Sequence, residues 1–406
     1  MHVNAGAIYR YFEIIFMAFV IFGDNFSFPE GNASTNRVYA YAKGLIENGV
    51  GVSVICFENE YVKDQEGITE GISYYHPFGQ AERNKYFLIR RWQKFVKYFK
   101  AIRLFRKIIK TENIETIMVY TMRLSTHVFA WYLSKITGSK LVKECSEHPL
   151  INYQKGSLKK IEGFFKLKIE SRLCDGIFCI SQFLVDFFKH NGVPQNKLFL
   201  IPSTVDPTRF SQNGESPFPH PYIGYFGGLT FNRDNVDVLI RAFASLTNNH
   251  PDLNLILGGF CSEKEMEQIK NLIQDLNLSS KVTVLGYLSR TEIIRYIIHS
   301  EILVMVRAKD LETQASFPSK LTEYMATAKP VVTVKVGEIP DYLTDGVDSF
   351  LIEPGNTSEL AEKLDYVLNN YDIALKIAGQ GKELTTTTFN YNFQAKRIIR
   401  FLETLN

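Results

Sequence analysis

Residues 316–341 read SFPSKLTEYMATAKPVVTVKVGEIPD. A short helix is expected to begin at Ser316 or Pro318 and to end before Lys329. The β-branched run 331–334 that follows predicts a strand. The segment is therefore one helix–strand unit of the kind that builds parallel α/β sheets.

The start of this helix has the chemistry of an anion site. A helix N-terminus presents free N–H groups and the positive end of the dipole, and both attract phosphate. The amides of Ser319 and Leu321 belong to this turn, and Lys320 adds a positive charge. Glu323 lies one turn later, placed to accept hydrogen bonds from hydroxyls. These features suit a sugar nucleotide; the alternative is an ordinary helix with a capped start.

The length of the chain and the distribution of its charge limit the possible domain organisation. A chain of 406 residues is too long for one compact core and fits two domains. The net charge of +3 conceals an asymmetry. Residues 1–210 carry 28 Lys and Arg against 19 Asp and Glu, a net +9, whereas residues 211–406 carry 18 against 24, a net −6.

The cysteines and the apolar runs indicate a cytoplasmic protein. The five cysteines include no CxxC pair, so we expect reduced, partly buried thiols and no zinc site. The longest apolar run, Ile14 to Phe22, is well short of the roughly 20 residues of a membrane-spanning helix. It is better interpreted as a buried first strand.

Apolar runs alternate with amphipathic stretches along the whole chain, which predicts parallel α/β sheets. A polar, proline-rich break at 211–221 separates two such regions. The helices include 34–48 and an amphipathic C-terminal stretch, 393–402. Strands are expected near residues 17–23, 52–57, 116–120, 139–143, 176–180 and 198–201, and near 222–226, 253–258, 282–285, 301–306, 330–334 and 349–352.

The segment 83–110 contains eleven Lys and Arg and no acidic residue, with aromatic and aliphatic residues interleaved at spacings of three and four. This composition predicts a basic amphipathic helix or helix pair that lies on an anionic membrane surface. The alternative is a solvated basic face on a helix whose apolar stripe is core. No nucleic-acid reading motif accompanies the charge, so no nucleic-acid partner is expected.

Three further segments carry candidate site residues. Gly31 and Asn32 follow the first strand, where a loop can approach a phosphate or substrate. Gly227 and Gly228 end the first strand of the second half, where a diphosphate could approach the main chain. The third segment ends another strand and offers groups for acid–base work or for binding acceptor hydroxyls, namely Glu144, Glu147 and His148.

Taken together, the sequence resembles family 4 glycosyltransferases of the GT-B fold over nearly the whole chain. The segment 316–341 is the most specific part of the resemblance. The other residues that carry it are Phe28 to Gly31 with Asn36 and Arg37, Asp175 to Ser181, Ile201 to Asp206 with Arg209 and Phe210, Gly227 to Leu229 with Asn235 to Ile240, Asp345 to Leu351, and Glu353 to Asn356.

The resemblance implies two Rossmann-like domains whose parallel sheets face a central cleft. It implies an acceptor-binding domain over residues 1–210 and a nucleotide-sugar-binding domain over residues 216–388. The C-terminal helix, 389–406, is expected to pack back on the first domain. The resemblance also implies transfer of a hexosyl-type residue with retention at the anomeric carbon.

The sequence departs from the family pattern at the paired glutamates, which lie eight residues apart in the family. Glu323 matches the second of them. The first falls at Ala315, and Glu312 lies three residues too early. The sequence therefore lacks, at this position, the glutamate that contacts the donor sugar in the family.

A second departure concerns the diphosphate. The family's arginine falls at Gly228, and Arg233 matches its usual lysine partner. We infer that Lys320 supplies the charge lost at Gly228, so that fixed cations stand in for a divalent metal. Replacing Lys320 or Arg233 by alanine is then expected to lower turnover by about 10²–10³-fold. No cofactor is expected.

The predicted function is glycosyl transfer from a nucleoside diphosphate sugar to a glycan or lipid-linked oligosaccharide, in surface polysaccharide biosynthesis at the inner membrane face. Two alternatives remain open. A nucleotide-sugar epimerase also uses paired Rossmann-like domains, and it would release a changed sugar without an acceptor. A non-catalytic subunit that binds a glycan or a nucleotide sugar would bind the donor without hydrolysis or transfer, and Ala315 and Gly228 favour it.

Overall fold

The structure is a computed structural model that describes residues 17–31, 33–154, 156–211 and 214–405. Two successive α/β domains make up these residues, each built on a largely parallel sheet. The predicted fold class is therefore confirmed. The described ranges contain no helix with the length and apolar character needed to cross a membrane.

The N-terminal sheet has the strand order β3-β4-β2-β1-β5-β6-β7-β8 within the described residues, parallel except for the β3–β4 pair. The sequence analysis missed β3 and β4, whose burial alternates or is partial. The strands are β1 (Met17–Gly23), β2 (Gly51–Cys56), β3 (Glu66–Thr69), β4 (Ile72–Tyr75), β5 (Asn113–Tyr120), β6 (Lys140–Cys145), β7 (Gly176–Cys179) and β8 (Leu198–Leu200).

The helices of this domain cover the two faces of its sheet. They are α1 (Ala33–Glu47), α2 (Phe87–Ile108), α3 (Leu124–Thr137), α4 (Ser157–Leu173) and α5 (Gln182–His190). One core layer contains Phe105 of α2, Leu133 of α3 and Leu167 of α4, which therefore share a face. The opposite layer contains Val38 of α1. The segment predicted as a helix or helix pair at 83–110 is thus one long helix, α2.

The C-terminal sheet has the order β11-β10-β9-β12-β13-β14 among the described residues, with every pair parallel. This is the doubly wound arrangement in which the strand order reverses beside the first strand. The strands are β9 (Tyr222–Phe226), β10 (Asn254–Gly258), β11 (Val282–Gly286), β12 (Ile302–Met305), β13 (Val331–Val334) and β14 (Phe350–Ile352).

Helices connect these strands and complete the chain. They are α6 (Val236–Ala244), α7 (Glu263–Asp275), α8 (Arg290–His299), α9 (Leu311–Ala315), α10 (Ser319–Ala326), α11 (Ile339–Tyr342), α12 (Thr357–Asn369), α13 (Tyr371–Thr386) and α14 (Tyr391–Thr404). The predicted unit at 316–341 is observed as α10 followed by β13.

The last helix returns to the N-terminal domain and packs on α1. A Cβ at Gly44 would lie 2.7 Å from the main-chain oxygen of Tyr391 and 2.8 Å from Cβ of Ala395. The absent side chain therefore allows α1 and α14 to touch. Ile398 and Phe401 of α14 join the core layer beside α1.

Candidate active site

A cleft of about 600 Å³ lies between the two domains, at the carboxyl ends of their parallel strands. In doubly wound folds ligands bind at this edge, where the strand order reverses. In the C-terminal sheet the reversal lies between β9 and β12. The residues just after these two strands, Gly227 and Arg307, both line the cleft.

Glycines after β9 and β10 allow side chains and main chain to approach one another very closely. A Cβ at Gly227 would lie 2.1 Å from Nζ of Lys320. Gly259, at φ +147°, lies so close to Gly227 that its Cβ would be 1.7 Å from the Gly227 oxygen. A Cβ at Gly228 would lie 2.6 Å from a carboxylate oxygen of Asp234. The predicted residues Gly227 and Gly228 therefore form a wall without side chains.

Lys320 lies at the base of the cleft against this wall. Its Nζ is 3.1 Å from the hydroxyl of Tyr225 and 4.6 Å from the centre of that ring. Burial lowers the pKa of Lys320 to about 8; Asp234 opposes this change, and Arg307 adds to it. A bound anion would favour the charged ammonium, because opposite charges nearby raise the pKa of a lysine.

Arg307 is a buried cation that the sequence analysis missed. It lies at the end of β12 and donates to the hydroxyl of Ser316 at 3.3 and 3.4 Å. Its position could have been found from the sequence, because a charged residue directly after the buried run 302–306 marks the carboxyl end of a parallel strand. Arg307 and Lys320 line the same cleft and interact electrostatically, so together they supply two positive charges there.

Arg233 occupies a more exposed position and pairs with Glu312 at 2.9 Å. The main chain of Arg233 accepts a hydrogen bond from Ala308 N–H, which ties this loop to the end of β12. Glu147, on the N-terminal side, also lines the cleft. Burial raises the pKa of Glu147, Glu312 adds to the rise, and Arg233 opposes it. The three groups therefore interact electrostatically across the cleft.

Glu323 is held by partners from both domains. Arg290 donates to its two carboxylate oxygens at 2.7 and 3.0 Å, and Asn36 of α1 donates at 3.1 Å. Arg290 follows β11 at the start of α8, and no feature of the sequence alone assigned it to this carboxylate. The pair fixes the Glu323 carboxylate in the cleft.

The first turn of α10 also lines the cleft, through Ser319 and Lys320. Its N-cap, Pro318, makes no side-chain cap. Leu321 is buried, and its N–H donates to the Pro318 oxygen at 3.2 Å. The amides of Ser319 and Lys320 are therefore the better placed donors for a ligand.

The structure gives Glu144 a position different from the expected one. Its carboxylate is buried, accepting from Arg37 Nε at 2.7 Å and from the Tyr41 hydroxyl at 3.0 Å. Among the described residues it does not line the cleft. Glu144 is therefore the buried partner of Arg37 rather than a group that meets an acceptor.

His148 is likewise buried beside the cleft rather than on its described lining. Its ring packs edge-on against Phe187 at 4.7 Å, and its Nδ1 accepts from Leu150 N–H at 3.2 Å. Burial lowers the pKa of His148, which favours the neutral ring. Gly31 does line the cleft, whereas Asn32 lies outside the described residues.

Two sequence families match consecutive parts of the chain. Residues 34–209 match Glycosyltransferase Family 4, and residues 209–384 match Glycosyl transferases group 1. The chain carries both domains of a GT4-type glycosyltransferase. The resemblance noted in the sequence is confirmed at this level.

Two curated relatives match parts of the chain at low identity. The uncharacterized glycosyltransferase MJ1178 of Methanocaldococcus jannaschii is 26% identical over 55% of this chain and 58% of its own length. The N-acetyl-alpha-D-glucosaminyl L-malate synthase of Bacillus anthracis is 24% identical over 42% of this chain and 41% of its own length. The chain thus spans less than two thirds of these relatives.

Solved glycosyltransferases share the fold. Anabaena Alr3699/HepE in complex with UDP and glucose has a TM-score of 0.68 at 18% identity, covering 96% of this chain and 100% of its own. The sucrose-phosphate synthase of Thermosynechococcus elongatus has a TM-score of 0.72 at 16% identity, covering 96% and 99%. The predicted GT-B architecture of this chain is therefore confirmed.

Proposed function

We propose that this glycosyltransferase moves a hexosyl-type residue from a nucleoside diphosphate sugar to a glycan or lipid-linked oligosaccharide, with retention, in surface polysaccharide biosynthesis. One observation carries the proposal. Lys320 stands beside the side-chain-free wall at Gly227, Arg307 lines the same cleft, and Glu323 lies one turn of α10 further on. This places fixed positive charge and a hydroxyl acceptor in one cleft between two domains.

The diphosphate would lie against Gly227 and Gly228. There Lys320, Arg307 and the first amides of α10 would stabilise the negative charge that develops on the leaving group. Preorganised donors of this kind act without reorganisation at the moment of reaction, and each is typically worth about 10²–10³ in turnover. HepE shares the fold, and its structures contain UDP and UDP-glucose, which supports a nucleoside diphosphate sugar as the donor.

Glu323 would hold the ribose hydroxyls. A carboxylate offers about four lone-pair positions. Arg290 and Asn36 use three of them, which leaves one for a hydroxyl. Both ribose hydroxyls could bind only after Asn36 withdraws. Donor binding would therefore loosen one contact between the domains.

Glu312 is our candidate for the role of the absent family glutamate. Ala315, at the expected position, is buried, and its main-chain oxygen accepts from the Ser181 hydroxyl at 2.7 Å. Glu312 instead lines the cleft and pairs with Arg233. It would reach the donor sugar from the preceding turn of α9.

Glu147 is the residue we assign to acceptor orientation on the N-terminal side. It lines the cleft opposite the Arg233–Glu312 pair. Burial and Glu312 raise its pKa above the ordinary value of a glutamate, and Arg233 opposes the rise. His148 would act through packing behind Glu147 rather than through contact with the acceptor.

The diphosphate charge would be balanced by protein cations, so we propose that transfer needs no divalent metal. Initial rates without added metal should equal those with added Mg²⁺ or Mn²⁺. A rate that rises from near zero with either ion would contradict this part of the proposal.

A membrane surface is our proposed location for the acceptor, and α2 supports it. Phe87, Leu88, Trp92, Phe95 and Phe99 are exposed on α2, among exposed basic residues. The alternative interpretation placed its apolar stripe in the core. Phe105, Ala101 and Ile108 do face the core, but the five residues named first do not.

The helix α4 extends this surface on the same face of the sheet. Its exposed apolar residues are Leu158, Ile161, Phe164, Phe165 and Ile169, and Lys159, Lys160 and Arg172 are exposed among them. We define residues 86–100 of α2 and its approach, together with 158–172 of α4, as the outer surface. Apolar side chains within positive charge fit an anionic lipid interface.

The decisive experiment is acceptor-dependent release of nucleoside diphosphate by the purified chain. A panel of nucleotide sugars is first screened for thermal stabilisation, because a bound donor raises stability by mass action. The stabilising donor is then incubated with and without membrane extracts that contain glycan acceptors. Release only with acceptor supports transfer. A changed sugar without acceptor supports the epimerase, and binding without turnover supports the non-catalytic binding protein.

A further inference from the structure

A cysteine, a glutamate and a histidine of the N-terminal domain meet beneath the loop that leads to Gly31. The thiol of Cys56, a carboxylate oxygen of Glu60 and a ring nitrogen of His76 all lie within 4.8 Å of one another. Cys56 and His76 are buried, and Glu60 is partly exposed. None of the three lines the interdomain cleft among its described residues.

The hydrogen bonds around His76 leave one ring nitrogen facing a carboxylate. Nε2 lies 2.9 Å from the Phe28 carbonyl oxygen, which can only accept, so Nε2 carries a proton. Nδ1 lies 3.1 Å from Oε1 of Glu60. In the described structure both atoms are buried without a hydrogen-bond partner. In the neutral ring, two acceptors therefore face each other.

A cation between these atoms would resolve the conflict. From this geometry we propose that Cys56, Glu60 and His76 bind a zinc ion that stabilises the N-terminal domain. Zinc takes Cys, His and carboxylate ligands at about 2.0–2.3 Å, so tetrahedral N and O ligands lie about 3.3 Å apart. The separation of 3.1 Å between Nδ1 and Oε1 is close to this value. Water would fill the fourth position.

The surroundings of the ligands also fit a metal site. A histidine that binds metal through one nitrogen usually donates the other N–H to a carbonyl or carboxylate, which fixes its tautomer. Here Nε2 of His76 donates to the Phe28 carbonyl oxygen, and the main-chain N–H of Phe28 contacts the Cys56 thiol. Partly exposed Glu60 provides an entry path. The site is thus connected to the segment that precedes Gly31.

The absence of CxxC pairs argued against zinc in the sequence analysis, but it excludes only sites with paired cysteines. Cys56, Glu60 and His76 come from the end of β2, the loop after it and the end of β4, and β4 was not predicted. The proposed zinc is separate from the donor site, where protein cations would take the place of metal.

A protonated His76 paired with Glu60 is the rival explanation, and it needs no metal. The test compares the full-length protein with the variants Cys56→Ser and His76→Gln. Matched controls are Cys174→Ser and His127→Gln, which alter a buried cysteine and a buried histidine elsewhere in the same domain. Circular dichroism checks that each protein folds. Metal content is measured after purification, and the melting temperature is measured with and without added Zn²⁺.

We expect one zinc per wild-type chain and per control chain, and a rise in melting temperature with Zn²⁺ in these proteins alone. Cobalt substitution should give a thiolate-to-metal absorption band that Cys56→Ser abolishes. If Cys56→Ser does not fold, His76→Gln and the cobalt spectrum of the wild type still decide the question. Wild-type protein with only trace zinc, no cobalt–thiolate band and no stabilisation by Zn²⁺ would overturn the proposal.

Discussion

The two halves of the chain differ in where they place their positive charge. Residues 1–210 carry the net excess, +9, yet Arg37 is the cation that they contribute to the described cleft lining, and it is paired with Glu144. Residues 211–406 carry −6, yet they line the cleft with Arg233, Arg290, Arg307 and Lys320. The net charge of a domain therefore does not predict the charge of its site.

The physical reason is the range of electrostatic interaction. At physiological ionic strength exposed charges are screened within about 8 Å, so a ligand in a cleft responds to the groups that surround it. The basic residues of α2 and α4 face outward, where they would meet an anionic surface. Arg307 is buried, and Lys320 is partly buried beside Gly227, so solvent screens both charges less than it screens exposed ones. The two halves thus fit two different anions.

Removing Lys320, the cation at the base of the cleft, should break the C-terminal side of this comparison most clearly. Lys320→Ala should lower turnover by about 10²–10³-fold, because it removes a preorganised charge beside the leaving group. Lys329→Ala, a lysine just after the same helix and outside the described cleft lining, is the matched control. Steady-state kinetics with the identified donor provide the measurement. Near-normal turnover of Lys320→Ala would refute the site assignment.

Removing exposed aromatic side chains of α2 tests whether the outer surface of the N-terminal domain binds an anionic membrane. The triple variant Trp92→Ser, Phe95→Ser and Phe99→Ser should weaken binding to anionic vesicles by about 10²-fold or more, since each buried aromatic contributes about 1.5–3 kcal/mol. Co-sedimentation at low salt measures it. The control variant Tyr366→Ser, Ile373→Ser and Leu375→Ser removes exposed apolar residues from the other domain. Equal sedimentation of both variants would exclude the outer surface as the membrane-binding site.

Replacing Glu323 should have a smaller effect than replacing Lys320, and the effect should be on the affinity for the donor. Glu323→Gln should weaken donor binding roughly ten- to 150-fold, because hydrogen bonds to charged groups contribute about 1.5–3 kcal/mol. Titration calorimetry with the donor measures it, and Glu362→Gln on the exposed face of α12 is the control. Unchanged affinity for the donor together with intact folding would remove Glu323 from the ribose site.

The depressed pKa of Lys320 predicts a basic limb in the pH profile. The free enzyme holds a charged Lys320 only below its pKa of about 8, so kcat/KM should fall above that pH, by about tenfold at pH 9. Bound diphosphate should raise the pKa of Lys320, so kcat should stay near its maximum to a higher pH than kcat/KM does. Lys320→Arg keeps its charge and should flatten the basic limb of kcat/KM. An unchanged limb in this variant would assign it to another group.

Replacing Arg233 should have the smallest effect on turnover. This sharpens the contrast between the exposed Arg233 and the partly buried Lys320. The sequence predicted equal losses for Arg233 and Lys320. Arg233 is half exposed and already paired with Glu312, and exposed pairs contribute only about 0.2–1 kcal/mol. Arg233→Ala should therefore lower turnover by about fivefold or less. A loss as large as that of Lys320→Ala would show that donor binding buries Arg233.

Much of the fold could be predicted because each helix or strand that buries a face has a local, periodic pattern of apolar residues. The strand expected at 222–226 matches β9, and the strand expected at 17–23 matches β1. The short strands β3 and β4 were missed. β3 is a partly exposed strand of four residues at the sheet edge, and its pattern does not differ from that of a loop.

The site was predictable where the main chain alone determines it, and not where distant side chains meet. Gly227 and Lys320 were predicted from a strand end and a helix start, and both line the cleft. Arg290 pairs with Glu323 from 33 residues away, and Arg37 takes Glu144 out of the predicted acceptor site from 107 residues away. Such pairs depend on how helices pack between strands, which no local pattern records.

The sequence by itself determined that two α/β domains would form and that a glycine-lined strand end and a cationic helix start would lie in the second. These features follow from hydrophobic periodicity and main-chain geometry, which act over a few residues. Only the tertiary structure decided which charges enter the cleft, which are neutralised in the core and which face outward. Those outcomes depend on burial and on partners far apart in the chain, because the free energy of a charge depends on what surrounds it.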